Sequence, residues 1–511
     1  PYSVVASAQH NDLALKMAQE SMVLLQNKRN LLPLNKKMTV AVIGPNANDS
    51  VMQWGNYNGT PSHTVTLLKG IQKLLPESQI IYEQVCGHTD AHIWGSLFGQ
   101  CRSPKGNGFE ATYWNNTAYQ GTPSAEALQP TPFAFQAAGA TVFAPGVNTK
   151  EFSASYRSTF RPEHSGTAHF RIATNGKVRV LVNGKDAGQE IVNKKQPANY
   201  YPFSFEQGKE YEIELKTEQT REDAFLKFDL VEAQPTDMTA LLKRLKKANV
   251  VIFAGGISPL LEGEQMSVDA PGFRGGDRED IELPTAQRNV LQALKKAGKK
   301  IVYVNYSGSA IALTPETETC DAILQAWYPG QEGGTAVARI LFGEYNPAGR
   351  LPITFYKNTG QLPDFQDYSM KGRTYRYFKE KPLFPFGYGL SYTQYTYLPA
   401  RLDKTSLKYG EKAILTIPVR NIGKRDGEEV VQVYLRRPDD MEGPLKTLRE
   451  FQRISLPKGS SKEVTIELPY SAFEWFDIKT NSMHPLTGRY EILYGSSSRE
   501  QDLQRIQITI E

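Results

Sequence analysis

Two glutamates stand two residues apart in the segment Ile257-Ser258-Pro259-Leu260-Leu261-Glu262-Gly263-Glu264-Gln265-Met266, and Gly272-Phe273-Arg274-Gly275-Gly276-Asp277-Arg278 follows shortly after. With a glycine between them, one carboxylate can leave the loop while its neighbour makes a local ion pair. A carboxyl that must stay protonated near neutral pH, as a general acid does, needs burial or a like charge close by. Glu262 beside Glu264 supplies the like charge. The competing reading is a solvated acidic loop paired with Arg274 or Arg278, and composition by itself favours it. The seven histidines include no H-x-x-H or H-E-x-x-H spacing, and Cys86, Cys101 and Cys320 are too scattered for a metal site, so neither a metal nor a cofactor is expected. Cys86 and Cys101 can close a short loop in an oxidising compartment; the alternative is buried free thiols.

The elements around the acidic loop are of two kinds. Continuous apolar runs at 38–44, 249–256 and 300–306 read as buried parallel strands, with a helical stretch at 284–298 between the last two. That alternation predicts an α/β layer sheet, with the acidic loop leaving the carboxyl end of one strand, where ligands meet such sheets. An apolar stripe of Leu13, Met17, Val23 and Leu24 predicts a leading helix over 8–27. Between about 106 and 235 the texture changes to short alternating segments separated by Asn175-Gly176 and Asn183-Gly184, which are hairpin signals. An all-β module inserted into the α/β domain is expected there. Residues 345–392, rich in Pro, Gly and Tyr, read as a long connector over the surfaces of both neighbours. Alternation resumes to the end, with strands at 413–420, 429–436, 462–468 and 489–494, as in an immunoglobulin-like sandwich.

A chain of 511 residues exceeds one core, and domains of roughly 100 to 200 residues imply three of them. The formal charge of +5 comes from 59 basic and 54 acidic residues without a basic block, so nucleic acid is not an expected partner. No apolar run approaches the roughly 18 to 20 residues of a membrane span. The first residues, Pro1-Tyr2, suggest processing or a fragment.

Residues in a fixed order along nearly the whole chain resemble glycoside hydrolase family 3. They are Ala18 to Asn27, Leu31-Leu32-Pro33-Leu34, Ala41 to Ala47, Gly55-Asn56-Tyr57 with Gly59-Thr60-Pro61, Tyr328 to Gly334, Asn346 to Pro352, Tyr375 to Phe378 and Phe384 to Tyr392. The match is to the region after that family's catalytic barrel. The resemblance implies a discontinuous α/β sandwich domain over 1–105 and 236–360, a protective-antigen-type β-sandwich over 106–235, a connector over 361–399 and a fibronectin type III-like domain over 400–511.

It further implies a retaining, exo-acting β-glycosidase, a β-xylosidase or β-glucosidase acting on terminal β-linked sugars of plant-type oligosaccharides, in the periplasm or secreted. The Gly55 to Pro61 pattern resembles the β-xylosidase branch. Retaining enzymes hold two carboxyls roughly 5 to 5.5 Å apart, one the nucleophile and the other the acid/base. The family's acid/base sits just before an Asp-Arg pair, matched here by Asp277-Arg278. That implies Glu264, with Glu262 as the alternative. No Ser-Asp-Trp-like nucleophile segment occurs, and only about seven residues precede the first helix, so a separate barrel is expected to carry the nucleophile. Thr174-Asn175 replaces the Asp pair of calcium-dependent sugar binders, so calcium lectin activity is not expected. Phe473, Trp475 and Phe476 read as core or interdomain anchors. A homodimer stays open, as does a non-catalytic carbohydrate-binding or adhesion protein.

Overall fold

The runs Val40–Ile43, Val250–Gly256, Ile301–Tyr306 and Ala322–Gln325 are buried at every position, which suits strands covered on both faces. The structure is a computed structural model and describes residues 4–59, 61–137, 141–187, 191–192, 199–264, 266 and 268–511. In it these strands pair in parallel within a six-stranded sheet, in the order Val23–Asn27, Ala322–Gln325, Ile301–Tyr306, Val250–Gly256, Val40–Ile43, Ile80–Glu83. Numbered along the chain, the five parallel strands lie in the order 2-1-3-4-5, a doubly wound arrangement whose direction reverses between Val40–Ile43 and Val250–Gly256. Helices Leu67–Gln72 and Gly333–Leu341 pack backbone to backbone. A Cβ on Gly70 would fall 2.1 Å from the Gly334 carbonyl oxygen, and one on Gly334 2.0 Å from that of Thr66.

The helix expected over 8–27 ends early. It spans Ala8–Ser21, Met22 is extended, and Val23–Asn27 becomes an edge strand antiparallel to Ala322–Gln325. Leu13 and Met17 are 54% and 64% exposed, whereas Ala18, Gln19 and Met22 face inward. The reason lies in Val23-Leu24-Leu25: as a strand all three side chains are buried, which one face of a helix cannot achieve for consecutive residues.

The chain clusters into two units, one of Pro1–Thr89, Asp237–Pro259 and Glu279–Glu511, the other of Asp90–Thr236 and Leu260–Arg278. The second unit is mostly β. Its larger sheet centres on Phe152–Phe160 flanked by Tyr211–Gln219 and Phe109–Trp114, and its smaller one on Gly166–Thr174 and Phe225–Pro235. Buried and part-buried positions alternate along Phe109–Trp114 and Tyr211–Gln219, so one face of the sheet feeds a core in which the rings of Phe98, Phe109, Phe133 and Phe228 pack at 5.1–6.4 Å. Two strands before residue 106, His92–Ser96 and Cys101–Ser103, hydrogen-bond into these sheets, so the unit begins at Asp90. Its first and last strands are neighbours, with His92 opposite Pro235 and the Thr236 N–H donating to the Ala91 carbonyl at 3.5 Å.

Within the first unit, the C-terminal residues form sheets around Lys412–Asn421 with Ser461–Pro469, and Gly427–Arg436 with Thr447–Leu456, Gly488–Gly495 and Leu503–Ile510. Phe473 and Trp475 are buried in that core, whereas Phe476 is half exposed. The segment before it is stitched to both neighbours. Leu390 donates to Leu24 at 2.8 Å, the Tyr392 hydroxyl to Ile340 at 2.8 Å, and Asn346 bridges Asp426 and Tyr392. All three cysteines are buried and free of disulfides, with burial pushing the thiols of Cys86 and Cys101 up to about 12. Among the described residues no helix is long and apolar enough to cross a membrane.

Candidate active site

Ligands of doubly wound sheets bind beyond the carboxyl ends of the strands, at the reversal of strand order. Here that point lies between Ile43 and the end of Val250–Gly256. Leaving the first strand, Gly44 turns with φ +104°, and a Cβ there would sit 2.4 Å from the Ala254 carbonyl oxygen. The turn delivers Asn46, 1% exposed, whose amide donates to the carbonyls of Gly255 and Ile257 at 3.1 and 3.3 Å. Asn46 Oδ1 lies 2.6 Å from His88 Nε2.

From the other side, Gln287 of the helix Thr285–Lys296 reaches the same strand end. Its Oε1 accepts the Gly256 N–H at 2.8 Å, and its Nε2 donates to the Gly256 and His88 carbonyls at 2.7 and 2.8 Å. Gly256 has φ +109°, a conformation open to glycine and strained for other residues. Two side-chain amides thus fix the backbone just where Ile257 and Ser258, both fully buried, lead into the acidic loop.

The loop is a closed hairpin. Gly263 donates to the Gly276 carbonyl at 2.8 Å, Met266 to Gly275 at 3.0 Å and Gly275 to Val268 at 2.7 Å. Asp269–Ala270, Phe273–Arg274 and Asp277–Arg278 form a small antiparallel sheet below it. Gly276 must be glycine: its φ is +94° and a Cβ would meet the Gly263 carbonyl oxygen at 1.9 Å. This contact brings Gly263, and with it Glu262 and Glu264, beside the Asp277-Arg278 pair that lies far along the loop. Glu262 is half-buried and Glu264 exposed.

Asn46 and Gln287 escaped the sequence reading. Asn46 had the composition of a turn, and Gln287 that of a helix surface. The available signal was Gln287's position among Ala286, Val290, Leu291 and Leu294, all on the buried face of the helix. In the β-rich unit, Thr174 and Asn175 are occupied in shaping a turn. The Thr174 hydroxyl donates to Phe225 at 2.8 Å, and Asn175 bonds Phe225 and Asp223.

Comparison with known proteins gives the class first: residues 22–392 match the model described as glycosyl hydrolase family 3 C-terminal domain, and residues 429–498 that of a fibronectin type III-like domain. The chain belongs to glycoside hydrolase family 3. It is 45% identical over its whole length to a xylan 1,4-beta-xylosidase of Xylanibacter ruminicola, of which it covers 59%. Over 45% of its length it is 37% identical to a periplasmic beta-glucosidase of Salmonella typhimurium, covering 31% of that protein. A beta-glucosidase from Kluyveromyces marxianus in complex with glucose shares the fold, with a TM-score of 0.77 at 23% identity over 99% of this chain and 62% of that one. The chain therefore spans at most about three fifths of the length of these relatives.

Proposed function

We propose that this chain is part of a retaining, exo-acting β-glycosidase that removes terminal β-linked xylose or glucose from plant-type oligosaccharides, and that Glu264 is its acid/base. The observation that carries the reading is the closed hairpin that holds both carboxyls beside the Asp277-Arg278 pair. Identity of 45% to a xylosidase favours xylose. Glu264 protonates the leaving oxygen in the first step and deprotonates the attacking water in the second. The nucleophilic carboxylate is assigned to the part of the relatives' length that this chain does not span. Glu262, two residues away, is the alternative for the acid/base role. In domain terms, the α/β domain that breaks off before Asp90 and resumes at Asp237 faces the sugar, the β-rich stretch between them is an inserted module whose expected start at 106 moves back to Asp90, 361–399 is a connector and 400–511 a sandwich. A periplasmic or secreted location fits the relative named periplasmic.

The test uses the longer protein containing this chain. Glu264→Ala should slow substrates with poor leaving groups by about 10² to 10⁴, the contribution of a positioned general acid. Activated aryl glycosides should keep their first step, and azide should restore turnover. If Glu262→Ala gives this pattern instead, Glu262 holds the role. If neither does, the loop is not the acid/base.

A further inference from the structure

The net charge of +5 conceals a local excess that only the fold assembles. The strands Val40–Ile43, Val250–Gly256 and Ile301–Tyr306 are neighbours in the six-stranded sheet, and lysines precede each of them: Lys36-Lys37, Lys246-Lys247 and Lys299-Lys300. Hydrogen bonds bring the three segments together at the amino ends of the strands. The Asn249 N–H donates to the Thr39 carbonyl, and the Thr39 N–H to Asn249 Oδ1, both at 2.8 Å. The Val251 N–H donates to the Lys300 carbonyl at 2.9 Å, and Lys299 Nζ to the Leu245 carbonyl at 2.6 Å. Lys295 and Lys296 join them from the last turn of the helix Thr285–Lys296.

Lys37, Lys246, Lys247, Lys295, Lys296 and Lys300 are all exposed, and none forms an ion pair among the described residues. Carboxylates at this end are already occupied: Glu344 pairs with Lys36 at 2.5 Å, and Asp321 accepts the Ile301 N–H at 2.9 Å. Glu77 and Glu318 precede the next strand on either side, so the balance stays positive. A helix dipole favours lysine in the last turn, which accounts for Lys295 and Lys296 but not for Lys37 or Lys300. Segments 35–39, 243–249 and 295–300 hold no aromatic residue, so no ring face is on hand for a sugar. Ammonium heads on flexible stems suit phosphates whose positions are not fixed, as on a bilayer surface. A partner held here leaves free the opposite ends of the same strands, where Asn46 and Gln287 meet.

We propose that the amino-terminal edge of the sheet is a docking surface for an anionic phospholipid membrane. The proposal goes beyond the glycosidase reading and does not rest on it.

Co-sedimentation of this chain with vesicles tests it, using phosphatidylcholine alone and phosphatidylcholine mixed with phosphatidylglycerol. The chain should bind the mixed vesicles and not the neutral ones, and added salt should release it. Lys246→Glu with Lys247→Glu should weaken binding at least about tenfold without moving the melting temperature. If that pair does move it, Lys295→Gln with Lys296→Gln makes the same test. Lys462→Glu with Lys479→Glu changes the net charge equally at exposed positions of the C-terminal sandwich, and should leave binding within about twofold because distant charges are screened. Failure to bind the mixed vesicles, equal binding to the neutral ones, or equal losses at the edge and at the sandwich overturns the proposal. So does tighter binding of duplex DNA or polygalacturonate than of the mixed vesicles, which would make the edge a site for another polyanion.

Discussion

The side-chain amide of Gln287 satisfies both the N–H and the C=O of Gly256, at 2.8 and 2.7 Å, and so holds the strand end that feeds the acidic hairpin. Gln287→Ala strips buried backbone groups of their partners, each at about 1–3 kcal/mol. We expect a loss of about 3 kcal/mol in urea unfolding and faster amide exchange at Gly256 and Ile257. A change below about 0.5 kcal/mol would show that the clamp holds nothing.

Arg350 and Glu429 form an ion pair at 2.8 Å with side chains 8% and 2% exposed, and the Tyr397 hydroxyl donates to the same carboxylate at 2.9 Å. Breaking it in Arg350→Met leaves a buried charge, at about 3–5 kcal/mol. Adding Glu429→Gln should recover part of that. Burial already raises the Glu429 pKa despite Arg350, and losing the guanidinium raises it further. The folded state then holds its proton to higher pH than the unfolded chain, so stability of the single variant falls as pH rises from about 4.3 to the folded pKa. Urea midpoints across that range check the sign.

Glu214 should show the opposite slope. Burial opposes its ionisation, but the Ser155 hydroxyl at 2.6 Å and the Arg157 guanidinium at 3.0 Å outweigh it and hold the carboxyl below its ordinary value. Its stabilisation is complete above the unfolded pKa of about 4.3 and is lost as pH falls through the folded one. Glu214→Gln should remove that part of the acid dependence, seen as a smaller fall in melting temperature below pH 4.3.

Because Ala91 and Thr236 are hydrogen-bonded neighbours, a short Gly-Ser turn can replace what lies between them. The strands of the six-stranded sheet all lie outside that stretch, so the remainder should still unfold in one cooperative transition. Loss of cooperativity would mean that the first unit depends on the second.

The strands Val40–Ile43, Val250–Gly256 and Ile301–Tyr306 and the hairpin turn at Asn183-Gly184 were legible because apolar runs and turn residues carry their own local preference; Asn175-Gly176 is a turn but not a hairpin, since Gly166–Thr174 before it and Lys177–Val182 after it lie in different sheets. The acidic loop could be offered as a candidate because Glu262, Glu264 and Asp277-Arg278 stand on one loop, but the Gly263–Gly276 contact that brings them together was not legible. Nor was the fate of Val23-Leu24-Leu25. A helical stripe and an edge strand use the same apolar residues, and only the open edge beside Ala322–Gln325 decides between them. The same holds for the switch point: Val40–Ile43 and Val250–Gly256 are adjacent in space yet separated by more than 200 residues. Sequence by itself determined the kinds of element and the family. Tertiary structure decided that Asn46 and Gln287 meet on one strand end, because hydrogen bonds of that reach depend on how distant segments pack and leave no local pattern.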